Sequence, residues 1–132
     1  MSNHSLETFG GPRVLVADDD PLVRRMIARS LRGTVLVSLV GSVQDGKRLV
    51  QSLARWSAFL FDVNLGDGLG WELLDAVREH AHYAHTPAIM MSATDYADAP
   101  VRAAAQGALF VPKTFTPAEL RTIVRAALPP TT

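Results

Sequence analysis

Cysteine is missing altogether from this chain of 132 residues. Disulfide staples and thiolate metal sites are therefore excluded. The absence suits a reducing cytoplasm, which is the expected location. Net charge is missing as well, since 13 basic side chains face 13 acidic ones. That balance supplies no overall attraction to nucleic acid or to an anionic membrane, and neither is expected as a direct partner. No apolar run approaches the roughly 18–20 residues needed to span a bilayer. Residues 1–12 lack the apolar stretch of a signal peptide. They read as a flexible polar lead-in ending in the break Gly10-Gly11-Pro12. Pro129-Pro130-Thr131-Thr132 reads as a tail or the stub of a linker. Internal repeats and low-complexity tracts are also absent.

What the chain does have is apolar substance: 48% of its residues are hydrophobic. At this length that is enough for the full core of one ordinary domain. Short apolar runs alternate with segments of helical period. Val14 to Ala17 is the first run. Asp20 can cap a helix that Pro21 opens, with Leu22, Met26, Ile27 and Leu31 at helical spacing and Gly33 as its stop. Val35 to Val40 is the second run. Gln44 to Arg55 is expected as a helix with Leu49, Val50 and Leu53 on one face. Phe59 to Phe61 is the third strand. A Gly-rich loop from Leu65 to Gly70 leads into a helix over residues 71–80, with Leu74 and Val77 inward. Ala88 to Met91 is the fourth strand, residues 98–106 a short Ala-rich helix, and Leu109 to Val111 the fifth strand. Pro117 opens the last helix, with Leu120, Ile123, Val124 and Leu128 on its apolar face.

Five apolar strands alternating with five helices imply an α/β fold with a parallel sheet covered on both faces. In such sheets, sites form at the carboxyl ends of strands, where strand order reverses. Those ends carry Asp18-Asp19-Asp20, Asp62, Ser92-Ala93-Thr94 and Pro112-Lys113-Thr114. The second strand ends in Gly41-Ser42, which offers little. Carboxylates crowded together repel, and a hard cation such as Mg2+ relieves that repulsion with oxygen ligands. Lys113 adds an ammonium and Ser92 a hydroxyl. Metal, ammonium and hydroxyl together can hold a phosphoryl group, and a carboxylate among them can be the nucleophile.

Four segments at these strand ends carry a family likeness: Val14-Leu15-Val16-Ala17-Asp18-Asp19-Asp20-Pro21, Phe61-Asp62-Val63-Asn64-Leu65, Met91-Ser92-Ala93 and Lys113-Thr114-Phe115. Each alone is a weak signal. Together and in order, they resemble the receiver domain of two-component response regulators over roughly residues 13–128. The resemblance implies a flavodoxin-like doubly wound (βα)5 fold with strand order 2-1-3-4-5. It implies that Asp62 is the phosphoacceptor. Asp19 and Asp62 would be direct Mg2+ ligands, Asp18 would act mainly through water, and Asn64 would give its backbone carbonyl. Lys113 and Ser92 would each hold a phosphoryl oxygen. Backbone N–H groups near Asn64 and Ala93 would complete the cradle. Ser92 and Phe110 would be the switch residues, and the face made by the last two helices and the fifth strand the output surface. The expected partners are a sensor histidine kinase or histidine phosphotransfer domain and a downstream protein that the sequence does not name. Monomer and phosphorylation-linked homodimer both stay open. Such a domain catalyses its own phosphorylation and dephosphorylation without being an enzyme of the ordinary kind.

The chain departs from the family pattern at several positions. Thr114 stands where proline usually follows the lysine after a cis bond, and a cis Lys113–Thr114 bond is expected so that the lysine still points at the site. Gly66 stands where proline is frequent, and with Gly68 and Gly70 it softens the loop. Phe110 replaces a frequent tyrosine and lacks its hydroxyl. The two positions that tune dephosphorylation hold Asn64 and Thr94, both uncharged, so an acyl phosphate lifetime of seconds to minutes is expected.

Two rival functions remain. A haloacid-dehalogenase-like phosphatase would use Asp18 as nucleophile with Asp20 as its pair, and Ser92 and Lys113 as later motifs. It also needs an acidic pair after the lysine, where only Glu119 follows. A receiver-like interaction module that is never phosphorylated would usually have lost an acidic ligand or the lysine. Other residues have plainer readings. Asp20 reads as a helix cap, Asp67 as a turn residue, and Trp56 and Trp71 as packing. His80, His82 and His85 do not share a face and are not expected to bind metal.

Overall fold

The computed structural model describes residues 11–94 and 97–130. The expected lead-in over residues 1–12 falls mostly outside these, as do Thr131 and Thr132 of the expected tail. Five strands, β1 (Arg13–Ala17), β2 (Leu36–Val40), β3 (Ala58–Asp62), β4 (Ala88–Ser92) and β5 (Leu109–Pro112), alternate with five helices. The helices are α1 (Pro21–Leu31), α2 (Val43–Val50), α3 (Gly70–Glu79), α4 (Ala99–Ala105) and α5 (Pro117–Ala127). The strands form one parallel sheet in the order β2-β1-β3-β4-β5. This is the flavodoxin-like doubly wound arrangement. Its order reverses at β1, so the crevice between β1 and β3 opens at their carboxyl ends.

Alternate residues of each strand feed two cores. Leu15, Phe59, Phe61 and Met90 pack on one face with Leu73, Leu74 and Val77 of α3. Val14, Val16, Leu60, Ile89 and Met91 pack on the other with Ile27 and Leu31 of α1 and Leu120 and Val124 of α5. Burying each such large side chain contributes about 1.5–3 kcal/mol. Every residue of β3 and β4 is buried, as the unbroken apolar runs require. The outer strands differ from expectation. β2 and β5 are only partly buried, because each has a neighbour on one side only.

Two helices also depart from the expected reading. In α1 the inward stripe is Val23, Ile27 and Leu31 at four-residue spacing, and Leu22, one position off that stripe, is left exposed. α2 stops at Val50 instead of running to Arg55. The Leu49 carbonyl, which a longer helix would give to the Leu53 amide, instead accepts from the Ser52 hydroxyl at 2.7 Å and the Trp56 indole at 3.0 Å. Leu53 is consequently 99% exposed. Trp56 and Trp71 are both buried in the core, as packing residues should be.

Candidate functional site

The site grows out of the hydrophobic strands themselves. β1 carries the chain into Asp18, whose N–H donates to the Val40 carbonyl at 3.1 Å, so β1 is still paired with β2 where the acidic residues begin. Arg24 of α1 donates to the Asp18 carbonyl at 2.7 Å, so both backbone polar groups of Asp18 are held. Asp20 caps α1 through the Leu22 N–H at 2.9 Å, as its position before Pro21 suggests. β3 ends in Asp62, and the Val63 N–H still pairs with the Met91 carbonyl of β4. The Lys113 N–H donates to the Ser92 carbonyl at 2.9 Å, extending β5 along β4 and setting the lysine beside Ser92.

These backbones bring together the residues picked out in sequence. Carboxylate oxygens of Asp18, Asp19 and Asp62 lie within 4.8 Å of one another. Lys113 Nζ stands 2.7 Å from Asp62 Oδ2 and 2.8 Å from Asp18 Oδ2. Asp18, Asp62 and Ser92 are buried, and Asp19 is exposed at the rim. Asp62 Oδ1 accepts from the Asn64 N–H at 3.2 Å. Ser92 Oγ accepts from the Thr94 N–H at 3.1 Å. Phe110 lies half-buried against the core cluster of α3 and α4. His80 and His82 stack near Tyr83, with the His80 ring nitrogen accepting the His82 N–H at 3.1 Å, an arrangement of packing.

The electrostatics are those of a charged pit in a low-dielectric wall. Burial pushes the Asp62 carboxyl above its usual range. The Lys113 hydrogen bond, the Asn64 N–H and the Lys113 charge pull it down, the Asp18 charge pushes it up again, and the net direction is upward. Burial alone would lower the Lys113 ammonium, but its bonds and charge pairing with Asp18 and Asp62 outweigh that and hold it above the ordinary value.

The donor set fits a hard divalent cation. Oδ2 of Asp18 is buried and accepts no hydrogen bond of good geometry, although the lysine stands beside it as an ion pair. Three carboxylates against one ammonium leave negative charge uncompensated, and all the ligand atoms are oxygens, as Mg2+ prefers. Asp18, Asp19 and Asp62 are the residues whose carboxylates come together to hold it, and the family resemblance would add the Asn64 carbonyl.

The Lys113–Thr114 bond is trans, as is every peptide bond among the described residues. The expected cis bond is thus corrected. The lysine reaches both carboxylates without it, and a cis bond before a non-proline residue would cost about 2.5–4 kcal/mol. Gly66 has φ +70°, a conformation closed to proline, so the β3–α3 loop could not keep this path with proline at position 66.

Several residues that hold the site or the fold around it were missed in sequence. Ser42 caps α2 by accepting the Asp45 N–H at 3.0 Å, and the spacing of Ser42 and Asp45 was a legible signal. Asp67 is more than a turn residue, since its carboxylate accepts the N–H groups of Val43 at 2.8 Å and Gln44 at 3.1 Å. Arg78 gives its guanidinium to the carbonyls of Tyr83, Thr86, Gln106 and Gly107. Arg102 lies 4.7 Å over the Trp71 ring, joining α4 to α3. No local pattern announces the last three, because their partners lie outside their own elements, most of them more than twenty residues away.

Sheet order and pit together define a flavodoxin-like α/β domain with an acidic, lysine-bearing crevice at its switch point. The family model of the response regulator receiver domain matches residues 14–125, and the chain belongs to that family. A two-component response regulator of rice (Oryza sativa subsp. japonica), ORR5, is 30% identical over 93 residues, which are 68% of this chain and 68% of that protein. Among solved structures, the chemotaxis response regulator CheY4 of Vibrio cholerae superposes with a TM-score of 0.81 at 26% identity, over 89% of this chain and 99% of that one. A response regulator structure from Chloroflexus aurantiacus gives 0.78 at 28% identity, over 89% and 97% of the two chains. No helix among the described residues is long and apolar enough to cross a membrane.

Proposed function

We propose that this receiver domain, spanning residues 13–128, accepts a phosphoryl group on Asp62 from the phosphohistidine of a sensor histidine kinase or a histidine phosphotransfer domain. A carboxylate oxygen of Asp62 attacks phosphorus, the P–N bond breaks, and the imidazole leaves with the electron pair and takes a proton. An acyl phosphate results. Attack by water on the same phosphorus later breaks the new O–P bond and restores the carboxylate with release of inorganic phosphate. Mg2+, when bound, supplies charge neutralisation for the phosphoryl oxygens. Lys113 is aimed at Asp62 Oδ2 and is available to a phosphoryl oxygen carried there. Ser92, at the end of the neighbouring strand, supplies a hydroxyl donor once its own rotor turns. Asn64 and Thr94 add no charge near the scissile bond, so we read the phosphorylated state as lasting seconds to minutes.

The observation that carries this reading is the placement of the Lys113 ammonium against Asp62 inside a three-carboxylate pit. The phosphatase reading has less support. That reading needs an acidic pair after the lysine, and Glu119, the one acidic residue that follows Lys113 in the sequence, spends its carboxylate on the Thr116 N–H at 2.7 Å. A purely structural receiver would not need the complete acidic set with its lysine.

Phosphorylation would bias an existing equilibrium of Ser92, Phe110 and the α4-β5-α5 face towards a form that a downstream protein, or a second copy, recognises. A cytoplasmic location belongs to the same reading. The direct test is intact mass after treatment with acetyl phosphate and Mg2+. One phosphoryl group should be gained, EDTA should suppress the gain, and Asp62→Asn should abolish it. Labelling that persists in Asp62→Asn contradicts the proposal.

A further inference from the structure

The loop between β3 and α3 carries the Asn64 carbonyl and folds back on itself. The Leu65 N–H donates to Gly68 at 3.0 Å, the Asp67 N–H to Leu65 at 2.6 Å and the Gly70 N–H to Val63 at 2.6 Å, while Asn64 and Leu69 pair across its base. This is a miniature hairpin with Gly66 and Gly68 at its tip. An isolated two-stranded ribbon of this size is marginal at best, and glycines make it softer.

One side chain ties that tip to another part of the fold. Asp67 accepts the N–H of Val43 through Oδ1 at 2.8 Å and that of Gln44 through Oδ2 at 3.1 Å. Val43 and Gln44 open α2, and their amides have no partner within the helix. The next one, at Asp45, is taken by Ser42. Two segments far apart in sequence thus share the cap of one helix. The turn before α2 is in turn joined to the first acidic segment, because the Val40 carbonyl accepts the Asp18 N–H and Arg24 holds the Asp18 carbonyl. Asp67 closes a circuit of hydrogen bonds from the Asn64 loop, through the start of α2 and the end of β2, to Asp18.

We propose that Asp67 is a positioning residue for the divalent cation: it locks the glycine-rich loop on the N-terminus of α2, so that the Asn64 carbonyl is held in register with Asp18, Asp19 and Asp62. Asp67 is not itself a ligand. The inference rests on the Mg2+ site of the proposed function. It differs from a plain helix cap in what it predicts for Ser42, whose hydroxyl caps the same helix through the Asp45 N–H.

The experiment compares wild type, Asp67→Ala, Asp67→Asn and Ser42→Ala. Mg2+ affinity is read by calorimetric titration with MgCl2, and amide hydrogen exchange is read in EDTA. Asp67→Ala should weaken Mg2+ about tenfold or more, as loss of an outer supporting group does, and should speed exchange at Leu65 and Gly70. Ser42→Ala should loosen the first turn of α2 yet keep wild-type Mg2+ affinity and slow loop exchange. Asp67→Asn keeps one oxygen acceptor and should fall between wild type and Asp67→Ala. It also serves as the deciding variant should the alanine protein not fold. Wild-type affinity in both Asp67 variants, or equal weakening by Ser42→Ala, overturns the proposal. If wild type binds no Mg2+, or Asp19→Asn leaves its affinity unchanged, the metal site itself is refuted, which is a result distinct from failure at Asp67.

Discussion

Gly70 lies with its α-carbon directly against the carbonyl oxygen of Asp62, leaving no room for a β-carbon. The first residue of α3 and the last of β3 are therefore in backbone contact, and the helix start sets where the acidic side chain hangs. Gly46 serves similarly between α2 and α3, where a β-carbon would meet Leu73 Cδ2 at 2.6 Å. The obstacle there is a side-chain tip that can move; at Gly70 it is backbone.

Gly70→Ala should consequently displace the end of β3. We expect a loss of about 1–3 kcal/mol, the usual penalty for overpacking, together with weakened phosphorylation of Asp62. Gly46→Ala should cost less and leave phosphorylation unaffected. Urea unfolding of the two variants, run beside acetyl phosphate labelling, checks both statements.

Burial raises the Asp62 carboxyl above its unfolded range despite the lysine. In the pH window between the unfolded and folded values the native state holds more protons than the unfolded chain. Stability therefore falls as pH rises through that window and stays reduced at neutral pH. Asp62→Asn removes the penalty and leaves Asp18 to pair with Lys113. In EDTA at neutral pH the variant should melt at a higher temperature than wild type, and the gap should close on acidification. Added Mg2+ should raise the melting temperature of wild type well above its effect on the variant. Thermal scans across pH, with and without Mg2+, measure this.

Lys113 stands between two buried carboxylates and pairs with both. Its replacement by Met keeps much of the volume and leaves the acids uncompensated. Stripping one partner from a buried pair costs about 3–5 kcal/mol. The loss should appear in EDTA and shrink with Mg2+, because the cation takes over part of the compensation. Chemical denaturation under the two conditions separates the cases.

Arg78 makes its contacts far from the pit. Its guanidinium bonds carbonyls of the α3–β4 connection and of the turn before β5. Arg78→Met should destabilise by about 3 kcal/mol, the upper part of the range for hydrogen bonds to a charged group. Mg2+ affinity should not change, since no ligand segment is touched. Denaturant midpoints and calorimetric titration together read the split.

The inner strands and the pit were legible in sequence for a simple reason. Apolar runs buried on both faces have no alternation, and the polar residues that follow such a run must lie at the sheet's edge. Asp18, Asp62, Ser92 and Lys113 were found in that way. The end of α2 was not, because the Leu49 carbonyl is captured by Ser52 and by an indole seven residues on. Leu22 misled because a helix stripe shifted by one residue looks nearly the same on paper. Asp67 and Arg78 escaped because their partners come from other elements, and no spacing rule links residue 67 to residue 43. The trans Lys113–Thr114 bond was missed because a requirement for proline geometry was carried over to a loop that reaches the site without it.

The carboxylate that takes the phosphoryl group can be located chemically. Borohydride reduction of protein treated with acetyl phosphate and Mg2+ converts an aspartyl phosphate to homoserine, which peptide mass mapping locates. Conversion at position 62 alone is the predicted result. Conversion at position 18, or at neither, would contradict the account.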